Sequence, residues 1–444
     1  MRFVEWASPG TRGGARLAIS IAAAGVLLVA AIPAARADAP VGAADPAVIT
    51  EWNQIAVKLI TDPLPPTGTG VGKGNAEGFL WNAFVQAAVY NAVNGITREY
   101  ELYEWNAKAP KGASPQAAAA VAAHGVLMEY FGSGDFAHSG TIAASLNAAL
   151  ATSLGRIPDG VTKDQGIRYG ERAAEHLIGL REDDGRFAAI AFNPPNPTAA
   201  GVWRPTPPGF AAFFDPWLGF IDPLLLDSTD QFRPGPPPAI GSALYETELE
   251  EVRVHGSSAN PNNDEKTTAR FFSDIAPARL QEGLRDLATR RGLDISDSAR
   301  MFAAVDMSLA DSVSAVWEAK YYYGWWRPIT AIREAPPDSN PNTPDPTWTP
   351  LITTPPYPDW PSGLSGVIGA LSTSLTLLDG GVDLFLTSTS AGVTRHYTSA
   401  ASIQQDVIDA RVWSGIHFRT ADEVGVAMGI QTANWALSHH FAPN

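Results

Sequence analysis

The sequence predicts an all-α protein, and three observations carry that prediction. Apolar residues recur at helical spacing in segment after segment. Serine, proline and glycine sit where helices start and stop. Proline-rich stretches, which cannot continue a helix, fall between these segments. Val48 to Ile60 places Ile49, Trp52, Ile55, Ala56 and Leu59 on one face. Phe79 to Ile96 is alanine-rich and apolar on most faces, which marks a central buried helix. Ser114-Pro115 is a helix start, with serine as cap and proline in the first turn, and the alanine run behind it suits close helix packing. Val161 to Leu180 follows. Phe192 to Pro238 is rich in proline and too aromatic for a disordered linker. It is expected to be an ordered excursion over the surface that lines a pocket or merely covers the core.

Helices resume at Ser242 to His255 and Asp264 to Asp274. Ser296 to Trp326 is expected as one long helix ending at Arg327-Pro328. A second proline-rich loop, Pro336 to Pro361, leads to helices at Leu364 to Leu378, Ser402 to Arg411 and Thr420 to Ser438. The reading is an N-terminal bundle over about 45–190, the excursion 192–238, and a C-terminal bundle over about 240–440. No repeat of fixed period and no clean linker divides them, so one domain is expected.

The chain has 444 residues, a net charge of −15 and no cysteine. The first 37 residues read as an export signal. Arg2, Arg12 and Arg16 precede an apolar run from Leu17 to Ile32, and Ala35-Arg36-Ala37 is a small-x-small cleavage site. These residues hold four arginines and one glutamate, so their removal takes the charge from −15 to about −18. That acidity argues against nucleic acid and anionic lipid as partners. The expected product is secreted and leaves the membrane once the signal is cleaved. It has neither disulfides nor cysteine-based zinc or thiol chemistry.

Three short motifs in the last third point to an anion site. Lys320 and Arg327 are seven apart, which on a continuous helix puts them on one face. The YYYGWW between them is apolar, and burying two cations there is costly without an anion. Pro361-Ser362-Gly363 precedes an apolar helix. Ser362 could simply cap it, yet the free N–H groups of such a terminus also suit a tetrahedral oxyanion. Arg411 and His417 are six apart and converge only if the chain turns at Ser414-Gly415. A guanidinium grips two oxygens, and a neutral imidazole can act as nucleophile or metal ligand.

Taken in this order, the motifs resemble the vanadium-dependent haloperoxidase and type 2 phosphatidic acid phosphatase superfamily. The stretches EWNQIAV, TARFFSD, AKYYYGWWRPITAIRE, PPYPDWPSG and ARVWSGIHFRTADEVG are similar to its bacterial secreted haloperoxidase-like branch. The resemblance implies two four-helix bundles, as in vanadium chloroperoxidase. It implies that Lys320, Arg327, Ser362, Gly363 and Arg411 hold the oxygens of vanadate, with phosphate as an alternative occupant, while His417 ligates the vanadium. Asp274 becomes a candidate partner for Arg411, and Tyr357 falls where an aromatic residue lies on the halide side. Hydrogen peroxide, a halide (bromide or chloride) and a small organic acceptor become the expected partners, and a homodimer the expected assembly.

The chain departs from the pattern at Leu364, where the family has a histidine that assists peroxide uptake or protonates a leaving group. Leucine does neither, so the expected activity is weak or altered; His396 is a candidate substitute. Two other readings stay open. One is a phosphate- or diphosphate-ester enzyme, with Trp325, Trp326, Tyr357 and Trp360 around the organic group. The other is an oxyanion-binding relative without catalysis.

Overall fold

The computed structural model describes residues 44–65, 67–134, 138–274, 276–334 and 344–444. The proposed export signal lies outside them. The described chain is mostly helical. Its first helices are α1 (Ala47–Thr61), α2 (Asn75–Thr97), α3 (Pro115–Leu127), α4 (Ser139–Gly155) and α5 (Val161–Leu180). Next come α6 (Ala243–His255), α7 (Asn263–Phe271), α8 (Ala276–Arg291), α9 (Ile295–Tyr323) and α10 (Pro328–Arg333). The last are α11 (Gly363–Asp379), α12 (Ala400–Trp413) and α13 (Arg419–His439). None of the described helices is long and apolar enough to cross a membrane.

Two helices organise the interior. α2 is buried on nearly every face, as its uniform apolarity predicts, and packs against α1, α3, α5 and α9. Among its buried polar residues, Asn91 both donates to and accepts from the backbone of Tyr103. α9 is 29 residues long, about 43 Å at the helical rise. Asp294 caps its start by accepting from the Asp297 N–H. α9 then contacts α2 on one side and α11 and α13 on the other, so one apolar cluster runs through both sets of helices. Ser114 caps α3 by accepting from the Ala117 N–H, as its serine-proline start implies.

The structure adds elements and moves boundaries. α4 and α8 were not anticipated. Nor was a hairpin of β1 (Leu384–Ser388) and β2 (Val393–Tyr397), antiparallel with Leu384 opposite Tyr397, which packs on α8. The stretch expected as a helix from Asp264 to Asp274 stops at Phe271. The one expected from Ser296 to Trp326 stops at Tyr323, where Gly324 takes a left-handed φ of 54° and closes the helix. Trp325 then pairs in extended form with Val202, and Trp326 donates its N–H to the Gly201 carbonyl. The excursion 192–238 is ordered, with Trp203, Phe213, Trp217, Leu218 and Leu224 to Leu226 buried. It is pinned to α9 by Asp311, whose carboxylate accepts from the N–H groups of Leu224, Leu225 and Leu226.

Candidate oxyanion site

The three motifs converge. Lys320 lies in the last turn of α9 and Arg327 just before α10. Ser362 and Gly363 open α11. Arg411 is in the last turn of α12, and His417 follows a turn at Gly415. The convergence of Lys320 and Arg327 is not the one expected from their spacing. They do not share a helical face, because α9 ends between them and Pro328 starts α10 rather than breaking α9. The fold-back at Gly324 turns Arg327 toward Lys320. Arg411 and His417 do meet through a turn. Gly415 has φ 78°, and a Cβ there would stand 2.3 Å from the Gly256 carbonyl oxygen, so only glycine fits.

Lys320, Arg327, Arg411, Ser362 and His417 are all buried. Lys320 Nζ donates to the carbonyls of Pro358 and Asp359 at 2.7 and 3.0 Å. Arg327 donates to the carbonyls of Tyr357 at 2.7 Å and Ile416 at 2.6 Å. Its Nη2 has no partner among the described residues, and neither has Arg411 Nε. Ser362 does not cap α11 with its side chain. Its hydroxyl instead accepts from that of Ser365, which also reaches the Asp422 carboxylate. The opening N–H groups of α11 are therefore left for a ligand, and the partial positive charge of a 17-residue helix stands behind them. Gly363 belongs here because a Cβ would come 3.0 Å from the Trp317 ring.

Electrostatics explain what the pocket wants. Burial lowers the proton affinity of Lys320 well below the usual lysine range, and the neighbouring Arg327 adds to this. Burial likewise depresses Arg327 and Arg411. Two buried carboxylates face these three cations. Burial pushes Asp359 up to about 7 and Asp422 well above the carboxylate range. The cluster therefore carries excess positive charge in a dry interior, which costs several kcal/mol until an anion arrives. His417 is held well below its usual range by burial, then by Arg327, Lys320 and Arg411, so its imidazole is neutral at pH 7. Its Nδ1 lies 2.8 Å from Asp359 Oδ1, in an oblique approach, and its Nε2 lies 3.0 Å from Arg327 Nη1.

A cavity of about 210 Å³ opens onto Arg411, His417 and Gly363. Its walls include Phe79, Phe272, Trp317, Tyr357 and Leu364. Tyr357 turns its ring face to Lys320 and Arg327, at 5.1 and 4.9 Å from the centroid. Asp274 lines the same cavity, but it is not paired with Arg411. Its oxygens accept from the N–H groups of Thr389 and Ser390 at the hairpin turn, and its charge is felt by Arg279. His396 is no substitute for a histidine at 364. It sits on β2, stacked on Phe385 at 4.0 Å and tied to Asp383. Trp325, Trp326 and Trp360 do not line the cavity, and neither does any residue of 192–238. That excursion supports the wall from behind, through the Phe214 carbonyl, which accepts from the Trp317 indole N–H.

Residues 300–443, which hold every motif above, match the family model described as the VCPO second helical-bundle domain. The chain superposes on the crystal structure of a bacterial vanadium-dependent iodoperoxidase with a TM-score of 0.73. That match covers 91% of this chain and 99% of the other at 22% identity. The holo form of a bacterial vanadium-dependent chloroperoxidase gives 0.65, with 89% and 97% covered at 17% identity. The chain shares the helical fold of the vanadium haloperoxidases, and residues 300–443 are similar to their second helical bundle. Vanadium chloroperoxidase of Curvularia inaequalis is 24% identical over 281 residues, which are 51% of this chain and 46% of that protein. The chain thus aligns with about half the length of this curated relative.

In a fold like that of the vanadium haloperoxidases, the three motifs come together and Leu364 stands beside them. Leu364 packs partly buried against the core and presents an apolar wall to the cavity. The site also contains two carboxylates that the sequence reading passed over. Asp359 lies in PPYPDWPSG and Asp422 five residues after His417. The available signal was an acidic residue inside an otherwise apolar, aromatic run between cationic motifs. Such a residue has to be buried, and there its charge is felt by the cations.

Proposed function

We propose that the protein binds vanadate and, with it, oxidises halide by hydrogen peroxide, more slowly than a site equipped with an acid/base histidine. The observation that carries this reading is a neutral, buried His417 among three buried cations, two of which keep unpaired donors. An oxyanion meets those donors, and the imidazole lone pair suits a metal. When bound, vanadate supplies a Lewis-acidic centre that activates peroxide. Lys320, Arg327 and Arg411 hold the negative charge in place, with the N–H groups of α11 as further donors. The net reaction takes up one proton as halide and peroxide become hypohalous acid and water. Leu364 has no proton to give, so solvent must deliver it through the cavity. Aromatic walls at Phe79, Phe272 and Trp317 suit a small organic acceptor for the product. The export signal read over residues 1–37 would place this chemistry outside the cell.

The same donors suit phosphate, which makes it the natural competitor. The diphosphate-ester variant of that alternative loses support, because Trp325, Trp326 and Trp360, expected around the organic group, lie outside the cavity. The test is bromide oxidation by peroxide during vanadate titration, with phosphate as competitor. Turnover that saturates with vanadate and vanishes in His417→Ala supports the reading. Absence of turnover in both the native protein and Leu364→His overturns it, and points to phosphate esters.

A further inference from the structure

We propose that Tyr322 is a modification site, the residue at which halogen released by the protein becomes attached to the protein itself. This rests on the reading above, that halide is oxidised to hypohalous acid.

Hypohalous acid reacts with sulfur and with electron-rich rings, and access decides which residues it meets. This chain offers it little. There is no cysteine. Among the described residues, Met301, Met307 and Met428 are buried and Met128 is half-buried. Every described tryptophan is likewise buried or half-buried. Of the 11 tyrosines, Tyr322 alone is exposed, at 61%. It lies two residues beyond the buried Lys320, which turns it to the outer face of α9. Lysine and histidine nitrogens also take up halogen, but a mild reductant reverses that bond, whereas a carbon–halogen bond persists.

The neighbouring tyrosines are internal controls. Tyr321 packs its ring against Phe192 and Phe220 and donates its hydroxyl to the Ala191 carbonyl. Tyr323 donates its hydroxyl to the Pro234 carbonyl. The Arg233 guanidinium covers one face of Tyr322, 4.2 Å from the ring centroid, and is held there by Glu318 and Asp230. A cation on the face draws density from the ring, so access rather than activation singles Tyr322 out. In the reaction, an ortho carbon of Tyr322 attacks the halogen of hypohalous acid. A carbon–halogen bond forms and the halogen–oxygen bond breaks. Its electron pair leaves with hydroxide, which takes the ring proton to become water as the ring regains aromaticity.

The experiment incubates the full chain with vanadate, bromide and hydrogen peroxide, without an organic acceptor. The sample is quenched with a mild reductant, digested and read by mass spectrometry, where bromine shows by its paired isotope peaks. A second sample receives dilute hypobromous acid alone. In both, the first carbon-bound bromine is expected on Tyr322, ahead of Tyr321 and Tyr323. Tyr322→Phe is expected to lose that label while brominating phenol red in solution as the native protein does. Bromine appearing first on another tyrosine or on a tryptophan, in either sample, overturns the proposal. So does turnover that brominates the dye and leaves Tyr322 unmarked. If the reagent marks Tyr322 but turnover brominates neither dye nor protein, the halide reading fails, while Tyr322 keeps its place as the residue such an oxidant reaches first.

Discussion

On the proposed haloperoxidase reading, Leu364 is the single side chain that decides most about rate. It lies against the cavity that Arg411 and His417 share, and no other histidine among the described residues lines that cavity. A general acid/base contributes about 10²–10⁴-fold where it acts. Leu364→His should therefore raise peroxide-dependent bromide oxidation by roughly that factor, measured as kcat/KM for peroxide at saturating vanadate. It should also make the pH profile steeper, because the new imidazole would have to carry the proton. Gly415 is a second decisive position. Its φ of 78° and the 2.3 Å approach of its virtual Cβ to Gly256 leave no room for a side chain. Gly415→Ala should destabilise the fold by about 2 kcal/mol or more by thermal unfolding. Anion affinity should fall with it, since the turn sets where His417 meets Arg411.

Among the elements, α9 shows how far sequence could reach. Its helical period, its Asp294 start and its lysine are legible locally, and the helix forms where they indicate. Its end is not legible as read, because the spacing of Lys320 and Arg327 fits two helical turns equally well. Gly324 carried the missing signal, but its weight comes from Gly201 and Val202, more than a hundred residues away. The hairpin and α8 were obscured for a similar reason: each buries its apolar face against the other, so neither pattern stands out alone. The cradle residues were legible because their chemistry is ordered along the chain, whereas Asp359 and Asp422 act only through burial. α9 also carries a testable burden at Asp306, which is fully buried and accepts from Gln281. Burial is the main cause that pushes it up to about 8, while Gln281 and Arg285 pull the other way. The folded state therefore keeps a proton that the unfolded chain releases above about 4. Stability contributed there is present below that pH and is lost as pH rises toward 8. Asp306→Asn should match the native protein at or below about pH 4. It should then gain on it by up to roughly 1.4 kcal/mol per pH unit, read as a widening gap in Tm.

At the scale of the whole molecule, the buried cations are a strain that, on the proposed reading, a bound oxyanion relieves. Lys320, Arg327 and Arg411 are buried together, and the core runs unbroken from α2 through α9 to α11 and α13 around them. An oxyanion bound only by the folded state stabilises it by RT ln(1 + [L]/Kd), about 2.7 kcal/mol at a hundredfold excess over Kd. Vanadate or phosphate should therefore raise Tm by a few degrees, while chloride at matched ionic strength should not, because generic screening does not fill the cradle. Replacing one buried cation by an apolar isostere separates the two contributions. Lys320→Met should be as stable as the native protein or more so without anion, since an uncompensated charge has gone. It should also lose most of the rise with vanadate. A native Tm indifferent to both oxyanions would mean that the carboxylates of Asp359 and Asp422 already balance the cations, and that the cradle is closed rather than waiting.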